Sequence, residues 1–105
     1  MSTSISSIEG KIARIQRALA ALGPMRPGTL GRQYKDPKGR RGAYWQISYT
    51  HRMRSRSEYV RPEHLKAIRA ELANFRKFRL LTERWIDLSL EVSRLKRKPR
   101  RPDAK

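Results

Sequence analysis

The sequence predicts an α+β fold: an N-terminal helix, a small two- or three-stranded antiparallel sheet, and a long C-terminal helix. Three observations point there. Apolar residues recur at helical spacing before residue 23 and again after residue 62. Between residues 43 and 60 they alternate at strand spacing instead. Glycine and proline punctuate the stretch from 23 to 42, where the period changes.

The first helix is expected over residues 5–22. Ile5, Ile8, Ile12, Ile15, Leu19 and Leu22 follow one another by three and four positions, which sets them on one stripe. Ser6 with Glu9 three residues on matches a capping box, and Ile5 fits the hydrophobic staple before it. Gly10 weakens the first turns by roughly 1 kcal/mol relative to Ala. Gly23-Pro24 is a stop: glycine suits a left-handed cap and proline cannot continue a helix. So narrow a stripe calls for another helix as partner, in this chain or in a second copy.

The sheet is expected over residues 29–60. Residues 30–35 read as a short strand, and residues 36–42, Asp-Pro-Lys-Gly-Arg-Arg-Gly, as a turn-rich basic loop. Residues 43–50 are the clearest strand: Ala43, Trp45, Ile47 and Tyr49 alternate with Tyr44, Gln46, Ser48 and Thr50. Residues 53–60 alternate too, Arg54, Arg56 and Glu58 against Ser55, Ser57 and Tyr59, and a turn around His51-Arg52 would join the two strands as a hairpin.

The second helix is expected over residues 62–97, with Pro62 in the first turn and Glu63 favourable to the dipole. Leu65, Ile68, Leu72 and Phe75 form a stripe that Phe78, Leu81, Trp85, Leu88, Val92 and Leu95 continue. The step from Phe75 to Phe78 is three residues where four is due, so the stripe slips in phase, and the two halves would present different faces to the sheet and to the first helix. At 1.5 Å per residue the helix would be on the order of 50 Å long. Phe75, Phe78 and Trp85 sit among leucines and read as core. The organisation expected is one domain over residues 1–95 and a basic, disordered tail over residues 98–105.

The charge balance points to function. Twenty-six Lys and Arg stand against nine Asp and Glu, a formal net charge of +17. Such a chain needs counter-charge, and a phosphate backbone is the commonest macromolecular source. With no cysteine, a disulfide framework, a thiolate metal site and a cysteine nucleophile are excluded. His51 and His64 lie far apart with no carboxylate pair beside them, and neither a P-loop nor a Ser/His/Asp arrangement is present. Asp36, Glu58 and Glu63 are the remaining carboxylates for a metal-dependent nuclease, and no catalytic residue, cofactor or metal is expected. No signal peptide and no membrane span is read, so a cytoplasmic protein is expected, nucleoid-associated if it binds DNA.

The leading expectation is a DNA-binding protein. Tyr44, Gln46, Ser48, Arg54 and Arg56 are expected to meet a groove from the sheet, with Arg32, Lys35, Lys38, Arg40, Arg41 and Arg52 on phosphates. Lys96, Arg97 and Lys98 would add phosphate contacts near the C-terminus. Two alternatives stay open. One is an RNA-binding component of a ribonucleoprotein, with Tyr44 stacking on an unpaired base. The other is an oligomeric interaction or inhibitor protein that captures an acidic partner. A homo-oligomer would form through the first helix and the long one.

Residues 25–81 carry a resemblance. MRPGTL (residues 25–30), GAYWQISY (residues 42–49), RSRSEYV (residues 54–60) and LKAIRAELANFRKFRLL (residues 65–81) resemble a family of small uncharacterised proteins found near transposases and other mobile-element genes in bacterial and archaeal genomes. The resemblance implies a mobile-element protein as a partner and supplies no catalytic residues. Typical members have a Cys-Gly-x-x-x-Cys-x-Cys stretch between the first two strands, where this chain has residues 35–41 without a cysteine, so no metal role carries over. The sheet and the helix after it also resemble, at the level of fold, the small modules with which tyrosine recombinases bind arm-type DNA sites.

Overall fold

The computed structural model describes residues 4–98. The elements run α1 (Ile5–Ala20), β1 (Thr29–Asp36), β2 (Arg41–His51), β3 (Arg54–Val60), a short 3₁₀ turn (Pro62–His64) and α2 (Leu65–Arg97). The three strands form one antiparallel sheet in the order β1-β2-β3. The arrangement is α+β, with a helix on either side of the sheet in sequence. None of the described helices is long and apolar enough to cross a membrane.

Several boundaries differ from those read in the sequence, each for a local reason. Helix α1 is capped by Ser4, not Ser6: the Ser4 hydroxyl accepts the Ser7 N–H at 3.0 Å. A serine at either place can take an orphan N–H, and the earlier one lets Ile5 and Ser6 join the helix. Its last turn closes on Ala21, which keeps right-handed geometry, so Gly23 does not act as the left-handed cap. Instead Pro24 offers its carbonyl to Asn74 Nδ2 at 2.8 Å, which ties the exit of α1 to α2. Proline at position 62 begins a 3₁₀ turn, and α-helical pairing starts only at Leu65. The tail read over residues 98–105 falls, but for Lys98, outside the described residues.

The chain divides into two compact units that share α2: residues 23–77, and residues 1–22 with 78–105. The division falls between Lys77 and Phe78, at the three-residue step where the apolar stripe of α2 slips in phase. Ahead of the slip, the stripe serves the sheet. After it, the stripe serves α1.

In the unit holding the sheet, Ile47, Val60 and Leu72 are buried, and Leu30, Trp45, Leu65 and Ile68 pack around them. Leu30, Ile47 and Trp45 lie on one face because their positions alternate and pair in register, Leu30 with Ile47 and Trp45 with Val60. Helix α2 covers that face with the side chains of its first two turns. Burial of three such side chains and partial burial of four more contributes on the order of 10 kcal/mol before conformational entropy is counted. In the other unit, Ile8, Ile15 and Val92 are buried, from α1 and the far half of α2.

Gly28 fixes the approach to β1. Its φ is +138°, a backbone region that side chains disfavour, and a Cβ there would stand 2.9 Å from Ile47 Cγ1 and 3.2 Å from the Ser48 carbonyl. The loop therefore lies directly on Ile47. Arg26 holds it from the other side by donating its backbone N–H to the Glu71 carbonyl at 3.2 Å. Gly28→Ala is expected to destabilise the protein by about 1–3 kcal/mol, because it combines backbone strain with a clash on a buried residue. Thermal denaturation followed by circular dichroism reads this directly, and an unchanged midpoint would mean that the loop yields to a methyl group.

Candidate nucleic-acid interface

The register of the sheet decides which side chains share a surface. Strands β2 and β3 are joined by a two-residue turn, so His51 pairs with Arg54, Tyr49 with Arg56, and Ile47 with Glu58. A turn of two residues exchanges parity: even positions of β3 come to the face of odd positions of β2. Arg54 and Arg56 thus stand on the same face as Trp45, Ile47 and Tyr49, beyond the part that α2 covers. The residues expected to meet one groove thus divide between two faces, Arg54 and Arg56 on this one and Tyr44, Gln46 and Ser48 on the other.

The open face is built otherwise. Gly31, Gln46 and Tyr59 form one rung across the three strands, and Thr29, Ser48 and Ser57 the next. Thr50 and Ser55 form a third rung on two strands. The hydroxyls of Ser48 and Ser57 are 3.2 Å apart, and those of Thr50 and Ser55 are 2.9 Å apart. Tyr44, opposite Gln33, lies diagonal to Tyr59, with ring centroids 6.3 Å apart and planes at 49°. Tyr59 is 62% exposed, so the aromatic pair meets solvent without being stacked shut. Within the three strands, Lys35 at the outer end of β1 is the only charged residue on this face, and Arg61 follows Tyr59 just past the end of β3.

The basic residues gather at the ends. Lys35, Lys38, Arg40 and Arg41 surround the β1–β2 turn, all exposed. Asp36 shapes that turn by accepting the Gly39 N–H on Oδ1 at 3.3 Å, and Arg40 takes a φ of +53°. At the opposite end of β2, Arg52, Arg54 and Arg56 with His51 surround the β2–β3 turn, also exposed. The ends are roughly 35 Å apart along β2 at the usual strand rise. Arg32 belongs to neither cluster: it pairs with Trp45 on the covered face, its guanidinium 5.9 Å from the indole, with Arg69 at 5.0 Å from the same ring. Lys96 and Arg97 lie in the other unit, where they line a groove with Glu9, Ile12 and Val92, and Lys98 follows them.

Gln33, Ser57 and Tyr59, which reach the open face only through the register, escaped sequence reading as site residues, and so did Arg26. Arg26 stacks 4.9 Å from the Tyr49 ring and approaches Glu58 at 3.6 Å, while the Tyr49 hydroxyl donates to Glu58 Oε2 at 2.9 Å. Nothing near Arg26 in the chain announces a partner 32 positions away. This cluster clamps the entry loop to β2 and β3. Among the described residues no three His, Cys, Asp or Glu come together to hold a metal ion.

The family described as a domain of unknown function (DUF6788) matches residues 5–70, which takes in α1, the whole sheet and the start of α2. No curated protein and no solved structure matches the chain.

The hydrogen bond to the Glu58 carboxylate raises the Tyr49 hydroxyl above its ordinary pKa, with partial desolvation and the negative charge of Glu58 adding to it. The bond stabilises the fold while the phenol stays protonated. That contribution is complete below the ordinary tyrosine value and is lost as pH climbs through the raised one. Glu58→Gln is expected to bring the Tyr49 titration back down, seen as an earlier phenolate absorbance rise in a spectrophotometric pH titration compared against Tyr49→Phe. A titration that stays in place would show that the carboxylate does not govern the phenol.

Proposed function

The chain belongs to the DUF6788 family, and from that premise, with its activity to be argued from its own residues, we propose that it binds nucleic acid, duplex DNA foremost. The open sheet face meets base edges, and the two basic turns meet phosphates. One observation carries this reading: a nearly uncharged face rich in hydroxyls and amides is framed at both ends by cationic turns. Phosphates call for cations, whereas base edges call for directional hydrogen-bond groups. Gln46 and Gln33 are of the type that reads adenine in the major groove, and Ser48, Thr50 and Ser57 can pair with any base edge. Three strands span about 10 Å across, against a major groove about 12 Å wide. Lys96, Arg97 and Lys98 add charge for non-specific affinity. An acidic protein partner is less well served, because the cations are split between two distant ends. An accessory role beside mobile-element proteins is the finer reading, supported by the sequence resemblance alone.

A second reading rests on Tyr44 and Tyr59. An exposed aromatic pair on a sheet face is a stacking platform for unpaired bases, in RNA or single-stranded DNA. Fluorescence anisotropy with a random duplex, a single strand and a structured RNA, each across a salt series, separates the two. Duplex DNA is expected to bind best. Lys38→Gln with Arg40→Gln should lower the salt slope by about one per lost phosphate contact, while Gln46→Ala weakens binding with the slope unchanged. Preference for the single strand or RNA, lost in Tyr44→Ala, would favour the second reading. Dissociation constants no tighter than about 1 mM for all three probes would end both, being weaker than ordinary non-specific binding.

The reading includes a dimer. In the far half of α2, Thr82, Ile86, Ser89 and Leu90 extend the stripe of Leu81, Trp85, Leu88 and Val92 into an arc of roughly 200° at 100° per residue. One neighbouring helix covers a stripe of roughly 100°. Ile86 and Leu90 are each 58% exposed, so α1 leaves them uncovered. Beside them Glu83, Asp87 and Glu91 form an acidic row, and α1 carries the exposed bases Lys11, Arg14 and Arg17. The two rows are of opposite sign, so those of two copies would attract, although Arg79, Arg84 and Arg94 stand within a turn of the acidic row on the same helix. Sedimentation equilibrium is expected to give a dimer at micromolar concentration, and Ile86→Glu with Leu90→Glu a folded monomer. A parent that is monomeric throughout that range would rule the dimer out.

A further inference from the structure

The turn between β2 and β3 is made from residues that resist its geometry. Arg52 has φ +52° and Met53 has φ +65°. A two-residue turn with both central residues left-handed is the tightest link between twisted strands, and Asn-Gly or Asp-Gly adopts it without strain. Arginine and methionine do not, because their Cβ crowds the backbone there. Nor does either side chain repay the fold. Met53 is 98% exposed, the most exposed of the large apolar side chains among the described residues. It projects from the end of the hairpin with Arg52, Arg54 and His51 around it. Strain held in an exposed turn, with an apolar side chain in water at its tip, points to a use outside the fold.

The chemistry around the tip indicates that use. Proteins that kink duplex DNA insert an unbranched or bulky apolar side chain, methionine among them, between adjacent base pairs from the minor groove, and flank it with basic residues. Met53 is long, apolar and carried on a stiff two-stranded ribbon. The tip stands roughly 35 Å from the opposite turn, about one helical pitch of duplex DNA, far enough to reach a minor groove while the sheet face lies in the major groove. Resting on the nucleic-acid reading above, we propose that the β2–β3 turn is a wedge. Met53 enters a base step of duplex DNA from the minor groove and kinks it, with Arg52 and Arg54 neutralising the phosphates on either side. The target is a deformable step such as TA or CA, where unstacking costs least.

The test uses the full chain and a duplex of random sequence with one TA step, labelled at its ends with a donor–acceptor pair and carrying 2-aminopurine at the step. The parent protein is expected to bring the ends closer and to raise 2-aminopurine fluorescence several-fold. Met53→Gly keeps every cation and relieves the left-handed strain. It should melt several degrees higher than the parent and bind the duplex with an unchanged salt slope, yet leave it straight and stacked. Met53→Leu should retain the kink. If the parent binds the duplex without kinking it, or Met53→Gly kinks it equally, the wedge is overturned while the nucleic-acid reading stands. If Met53→Gly melts lower than the parent, the side chain serves the fold and the wedge is likewise overturned. If the parent fails to bind the duplex at all, both fall together.

Discussion

Ile47 has no exposed surface, and the packing on it from three directions organises the unit around the sheet. Val60 reaches it from β3, Leu72 from α2, and Gly28 presses bare backbone on it from the loop before β1. Each contact settles a choice. The helix is committed to one side of the sheet, the loop is committed to the same side, and the opposite side is left to solvent. A small sheet with one covered face has its other face free for use, provided that face carries polar groups. Here it carries hydroxyls, amides and two phenols.

Charge is placed accordingly. A net charge of +17 spread evenly would put cations on the open face as well, where they would repel one another across strands. Instead cross-strand positions there hold Ser48 beside Ser57 and Thr50 beside Ser55, pairs that satisfy each other by hydrogen bonding. On the covered side, the guanidiniums of Arg32, Arg69 and Arg26 lie near aromatic rings, where each contact is worth about 0.5–1 kcal/mol. Arginine thus serves two purposes in this protein: near Trp45 and Tyr49 it is packing material, and at the turns it is free charge.

Most of the architecture was legible in the sequence because it rests on local periodicity. The stripe of Ile8, Ile12 and Ile15 and the alternation around Ile47 belong to single elements and need no partner to be read. The phase slip between Phe75 and Phe78 even marked the border between the two units. What was not legible depends on pairing. Whether Arg54 lies with Tyr44 or with Trp45 turns on the number of residues in one turn, and Arg-Met gives no turn signal of the Asn-Gly kind. Tyr59 was visible as part of an alternating run, yet its place beside Tyr44 follows only from the register. The cap at Ser4 was missed because four serines stand in the first seven residues and compete for one role. The clamp of Arg26 on Tyr49 and Glu58 is a tertiary contact with no local signature.

Strands β1 and β3 are both sheet edges, each offering a row of backbone groups to any other strand that comes near. Every residue of β3 from Arg54 to Tyr59 is exposed. Two molecules meeting in parallel register along β3 would set Arg54 and Arg56 of one beside the same residues of the other, whereas full antiparallel overlap sets Arg56 against Glu58. In the parallel case the repulsion favours separation. Charged side chains along this exposed edge weigh against strand addition, whatever else they contact. A variant stripped of them to probe binding would lose that protection as well, and its solubility would have to be measured before its affinity.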